Sequence, residues 1–81
     1  MEQPLPTYEV NGAAIRRLRM DAELSIGDLA SKAGITASYL SRLEVGTRKR
    51  MAVHTFRALR MALRAKSSQL LAPTEDSTES R

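Results

Sequence analysis

The sequence predicts an all-α domain, five short helices packed as one small unit. Two observations carry that prediction. Between residues 11 and 72 apolar residues recur at i, i+3, i+4 and i+7, the period of helices with one buried face. Capping residues cut this pattern into short pieces. No strand is expected. Eighty-one residues hold one domain, and no repeat of solenoid period runs through them.

The elements follow in order. Asn11 is the expected N-cap of a first helix reaching about Ala22, with Ile15, Leu18, Arg19 and Ala22 on its inner face. An arginine there needs a partner. Ser25 opens the second helix, and Ser25-Ile26-Gly27-Asp28 has the Ser-x-x-acid form of a capping box. Its inner face carries Ile26, Leu29, Ala30 and Ala33. Gly34 ends it in a left-handed turn, and Thr36 caps a third helix running to about Val45. Leu40 and Leu43 face inward, whereas Ala37, Ser38, Ser41, Arg42 and Val45 face outward. Gly46 closes that helix before the basic loop Thr47-Arg48-Lys49-Arg50. A fourth helix turns Val53, Phe56, Leu59, Ala62 and Leu63 inward, with Arg57, Arg60 and Arg64 outward. Ser67 is expected to cap a last turn, Ser68–Leu71, which Pro73 stops. Met20, Met51 and Met61 read as gap-fillers or surface residues.

Residues 1–10 read as a loosely packed, extended N-terminal arm: Pro4 and Pro6 oppose helix, while Leu5, Tyr8 and Val10 can fold back onto the core. Residues 73–81 contain no apolar residue and are predicted to be a disordered acidic tail. Each of these ends sums to −2. The net +4 therefore conceals a middle segment, residues 11–72, in which twelve basic groups face only Asp21, Glu23, Asp28 and Glu44. A +8 domain of that size attracts polyanions. Membrane is the weaker candidate, since no apolar run approaches the roughly 20 residues that span a bilayer. The acidic, proline-broken start does not read as a signal peptide, and a cytoplasmic location is expected.

The absence of Cys removes disulfides, thiol nucleophiles and thiolate ligands. His54 is the single imidazole, so no His-based metal site and no cofactor is expected. A Ser–His–Asp arrangement would have to use His54, with no strained turn or glycine-rich loop beside it. The expected protein is not an enzyme.

Two short helices joined by a tight turn containing Gly34 form a helix-turn-helix, whose second helix can enter the DNA major groove. Ala30 permits close approach of helices two and three, and Leu29, Ala33, Ile35, Leu40 and Leu43 fill the space beneath. The stretches Ile15-Arg16-Arg17-Leu18-Arg19, Leu24 to Thr36, and Tyr39-Leu40-Ser41-Arg42-Leu43-Glu44-Val45-Gly46-Thr47-Arg48 resemble the Xre/Cro-type helix-turn-helix family. This is the lambda-repressor-like DNA-binding domain common in phage and bacterial regulators, and the resemblance reaches Leu71.

The resemblance implies roles residue by residue. Thr36 caps the recognition helix and touches phosphate. Ala37, Ser38 and Arg42 read base edges; Arg42 suits guanine and Ala37 a thymine methyl. Arg48, Lys49 and Arg50 lie along the DNA backbone, giving affinity and register, as do Tyr39 and Ser41. For Tyr39 a phosphate hydrogen bond, sugar packing and simple cover of the core edge all remain open. Arg16 and Arg17 are as compatible with solvent as with phosphate. Arg19 and Glu44 are expected to form a partly buried structural salt bridge. Two departures stand out. Ile26 replaces the usual glutamine, removing a phosphate contact unless Ser25 or the helix amides substitute. Met51-Ala52 replaces the usual proline after the basic loop.

The function so implied is a sequence-specific transcriptional regulator, a repressor binding double-stranded DNA as a homodimer on a palindromic operator. Leu70, Leu71 and the end of helix four are the candidate dimer contacts. The alternative is an antitoxin-like interaction module of the same fold, engaging a protein partner through the acidic C-terminal tail.

Overall fold

Helix α1 (Gly12–Asp21) begins where the Asn11 side chain accepts a hydrogen bond from the Ala14 amide at 3.2 Å. The computed structural model describes residues 7–72; the first six residues of the arm and the acidic tail lie outside them. Helix α2 (Ile26–Ala33) starts with a complete capping box. The Ser25 hydroxyl accepts from the Asp28 amide at 3.0 Å, and the Asp28 carboxylate accepts from the Ser25 amide at 3.4 Å. Helix α3 (Ala37–Val45) is capped by Thr36, whose Oγ1 accepts from the Tyr39 amide at 3.0 Å. Each cap satisfies an amide that the first helical turn leaves without a partner.

Helices α4 (Val53–Leu63) and α5 (Ser67–Leu70) complete the bundle. Helix α5 starts one residue earlier than expected. Lys66, not Ser67, is its cap, because the Gln69 side-chain oxygen Oε1 accepts from the Lys66 amide at 2.8 Å. Helices α2 and α3 both end on glycine in the left-handed region, Gly34 at φ 74° and Gly46 at φ 89°. There a side chain would crowd the following carbonyl.

The core joins the five helices of the described residues. Ile15, Leu29, Leu40, Leu43, Met51, Leu59 and Leu70 are each fully buried. Helix α2 packs on both α3 and α4, and α1 packs on α3. Two expectations fail at the ends of elements, one of an inner position and one of a surface position. Ala22 is exposed because it lies one residue past the end of α1. Leu70 belongs to the core, so it cannot serve as a dimer contact; Leu71 is half-buried and Met61 is exposed.

The larger correction is a small sheet. Strand β1 (Thr7–Glu9) pairs antiparallel with β2 (Arg50–Ala52), with Tyr8 opposite Met51. Val10 bridges to Leu71, and the Ala72 amide donates to the Glu9 carbonyl at 3.1 Å, so β1 sits between β2 and the end of the described chain. Three residues are too few to display a period of two, and the pairing brings together positions about forty residues apart. The Tyr8 ring meets Phe56 of α4 edge-on, centroids 4.7 Å apart, a favourable aromatic geometry.

Gly12 has a packing role. A Cβ on it would overlap the Leu43 carbonyl oxygen and lie 2.9 Å from that of Glu44. The first turn of α1 thus rests on the backbone of the last turn of α3, which cannot swing aside as a side chain would. Gly12→Ala is expected to destabilise the fold by about 1–3 kcal/mol, the usual range for overpacking. Urea unfolding checks this, with the loss read as a lower midpoint at unchanged slope.

Candidate nucleic-acid interface

Leu40, Leu43 and Glu44 turn one side of α3 into the core, which fixes what the other side presents. Ala37, Ser38, Arg42 and Val45 are exposed, and Ser41 is half-buried beside them. At 100° per residue Ser38, Arg42 and Val45 fall within one narrow stripe. Val45 is 73% exposed at its far end. Nine residues at about 1.5 Å each make this a rod of about 13 Å.

The basic loop after Gly46 is held beside that rod by its own backbone. The Arg48 amide donates to the Arg42 carbonyl at 3.1 Å, and the Lys49 carbonyl accepts from the Val10 amide at 2.9 Å. The Arg48 guanidinium lies over the Tyr39 ring, 5.1 Å from its centroid, within range of a cation–π attraction. Arg48 and Lys49 are exposed. Arg50 is engaged within the chain: its Nε donates to Thr7 Oγ1 at 2.8 Å and a terminal nitrogen to the Thr7 carbonyl at 3.3 Å. Its other nitrogen is 3.7 Å from Glu9, with both side chains more than half exposed, so that ion pair contributes little. Sequence reasoning missed Thr7 and Glu9 as partners of this loop. Nothing local to Arg50 signals them.

Beneath the face, Arg19 and Glu44 come together. Arg19 Nε is 2.7 Å from Glu44 Oε2 and its second nitrogen 3.1 Å from Oε1, while its third donates to the Leu24 carbonyl at 2.8 Å. The two side chains are 13% and 3% exposed. One guanidinium thereby links α1, the turn after it and the last turn of α3. A carboxylate near a helix C-terminus meets the negative end of the helix dipole, and Arg19 offsets that. The hydrogen bond to Glu44 raises the Arg19 pKa above its ordinary value, against the lowering effect of burial. A raised cation pKa adds stability that is complete below the unfolded value, so this contribution is undiminished across the physiological range.

Ile26 packs against the core, extending the inner face of α2. Arg16 and Arg17 are exposed on α1, as are His54, Arg57 and Arg64 on or beside α4; Arg60 is half-buried. Among the described residues no group of His, Asp or Glu is arranged to hold a metal ion. No described helix is long and apolar enough to cross a membrane.

Residues 12–72 match the family described as Helix-turn-helix domain. No curated protein matches the chain. Among solved structures it is similar to the N-terminal DNA binding domain of SinR from Bacillus subtilis: 26% identity, TM-score 0.70, covering 79% of this chain and 93% of that one. The restriction-modification controller protein C.AhdI from Aeromonas hydrophila is 29% identical with a TM-score of 0.66, covering 72% and 86%. The clp gene regulator ClgR from C. glutamicum is 30% identical with a TM-score of 0.63, covering 70% and 73%. SinR is also seen in complex with DNA, and in complex with SinI protein. A match across three-quarters of the chain, with the capped helix pair and its exposed rod in place, makes the protein a member of the Xre/Cro-type helix-turn-helix family, with the fold of DNA-binding transcription regulators.

Proposed function

We propose that the protein is a sequence-specific transcriptional repressor that binds a palindromic operator as a homodimer, with α3 in the major groove. One observation carries the reading: the exposed face of α3 combines Ser38 and Arg42 with the loop cations Arg48 and Lys49, base readers beside phosphate contacts. Arg42 supplies a bidentate donor pair for guanine, Ala37 meets a thymine methyl, and Ser38 hydrogen-bonds a base edge. Thr36, Ser41, Arg48, Lys49 and Arg50 face the sugar–phosphate backbone, with the Tyr39 ring beneath Arg48. Arg50 does so while sharing its guanidinium with Thr7 and Glu9.

The size of the rod supports the dimer. A 13 Å helix reads about four base steps, too few to single out one site, and two copies on half-sites one turn apart double the reading. Met61 and Leu71 are the apolar residues left on the candidate dimer surface. Repression by occluding a promoter requires no surface beyond the one that binds DNA. Selection of bound duplexes from random sequence by the purified protein tests sequence-specific binding as a dimer. Enriched palindromes support repressor-type binding as a dimer, and no enrichment overturns it. Arg42→Ala is expected to cost about 1–3 kcal/mol on the selected site and to relax the preference at one base pair. A uniform loss over all sequences would assign Arg42 to phosphate instead.

A second reading, a protein-interaction role for the same fold, has one observation in its favour: SinR is found with SinI protein as well as with DNA. Deleting residues 73–81 tests whether the acidic tail carries such a contact.

A further inference from the structure

We infer that Tyr39 is a positioning residue: its ring, not its hydroxyl, acts in DNA binding, by holding the Arg48 guanidinium in place before DNA arrives. The inference rests on the reading of Arg48 as a phosphate contact and names what orients it.

The geometry separates the two ends of the tyrosine. Its backbone is fixed by the Thr36 cap at 3.0 Å, and its side chain is half-buried against the core. The ring is therefore a rigid platform with two torsions already set. Arg48 lies over it at 5.1 Å, with its own amide tied to the Arg42 carbonyl at 3.1 Å. Both ends of the arginine are thus placed, the backbone by α3 and the guanidinium by the ring. Among the described residues no carboxylate pairs with Arg48, so the π face is the contact that orients it. An arginine free in solvent loses side-chain entropy when it meets a phosphate, and one already seated on a ring loses less. A stacked guanidinium also keeps its in-plane N–H donors for an acceptor at its edge.

Four variants test it: Tyr39→Phe, Tyr39→Leu, Arg48→Ala and the double variant Tyr39→Leu with Arg48→Ala. Leucine keeps the apolar cover of the core but has no π face, and phenylalanine keeps both. In the free protein, NMR should show the Arg48 side-chain protons shifted upfield by the ring in wild type and Tyr39→Phe, and unshifted in Tyr39→Leu. On a selected duplex, Tyr39→Phe should bind within twofold of wild type. Tyr39→Leu should lose about two- to fivefold, and should lose nothing further once Arg48 is alanine.

Equal losses for Phe and Leu would place the hydroxyl on DNA and overturn the inference. So would a Leu penalty that persists without Arg48, or an Arg48→Ala variant that binds as wild type. If no duplex is selected, the DNA reading falls and the positioning role falls with it. A ring shift that remains in that case marks the contact as structural only. Thermal melts of Tyr39→Leu and Tyr39→Phe control for the fold.

Discussion

Glu44→Ala is expected to lower the melting temperature by about 12–24 °C. Removing one partner of a buried ion pair costs about 3–5 kcal/mol, because the remaining charge keeps its desolvation penalty and loses its compensation. Arg19 retains 13% side-chain exposure, so water reaches it in part and the lower figure, about 3 kcal/mol, applies. In a domain of this size each kcal/mol moves the midpoint by about 4–8 °C. The double substitution Arg19→Met with Glu44→Leu is expected to melt near the wild-type temperature. Apolar replacement of both partners removes the penalty along with the attraction, and only the bond to the Leu24 carbonyl is lost. Thermal melts of the two variants check both statements. A single variant that melts with wild type would show that the pair does not hold α1 to α3.

DNA affinity is expected to fall by about 1,000-fold or more between 50 and 200 mM salt. Each phosphate neutralised by a cation releases counterions, and the logarithmic slope is about −0.9 per contact. Arg48, Lys49 and Arg50 from two copies give about six contacts, a slope near −5.4 and a loss near 2,000-fold. A single copy gives about three contacts and a loss of only about 40-fold. A dimer in which Arg50 stays with Thr7 and Glu9 gives about four contacts and a loss of about 150-fold. The measured slope thus reports both the number of copies on the DNA and which loop cations touch it. Fluorescence anisotropy titrations at four salt concentrations resolve these values, and a flat response would count against DNA as the ligand.

Much of the helical frame was legible because its signals are local. Ser25 with Asp28, Thr36 before an apolar period, and Gly34 and Gly46 after one are each read within a few residues, and the helices begin and end there. The face of α3 followed by projection, since Leu40 and Leu43 identify the inner side. What was illegible depends on distant partners. The strand pair is invisible in Thr7–Glu9 or Arg50–Ala52 taken separately. The need for glycine at position 12 arises from carbonyl groups of Leu43 and Glu44, more than thirty residues away. Arg50 reads from sequence as one more cation in a basic run, yet its guanidinium is bonded to Thr7. Leu70 looked like spare apolar surface because a four-residue helix shows no period from which to choose its inner side.

The placement of β1 has a kinetic consequence. Thr7 and Arg50 lie 43 positions apart, so the strand can dock only after the chain between them has closed a long loop. The helix pair, built from near neighbours, can form earlier. In the native state the order reverses: a three-residue strand with exposed side chains opens at lower free energy than the core. Each such opening frees Arg50 and the backbone of Lys49 while the α3 scaffold stays intact. The reading helix and the basic loop therefore fluctuate on different clocks. Amide exchange at Val10 and Met51 should run ahead of that at Leu40 and Leu43.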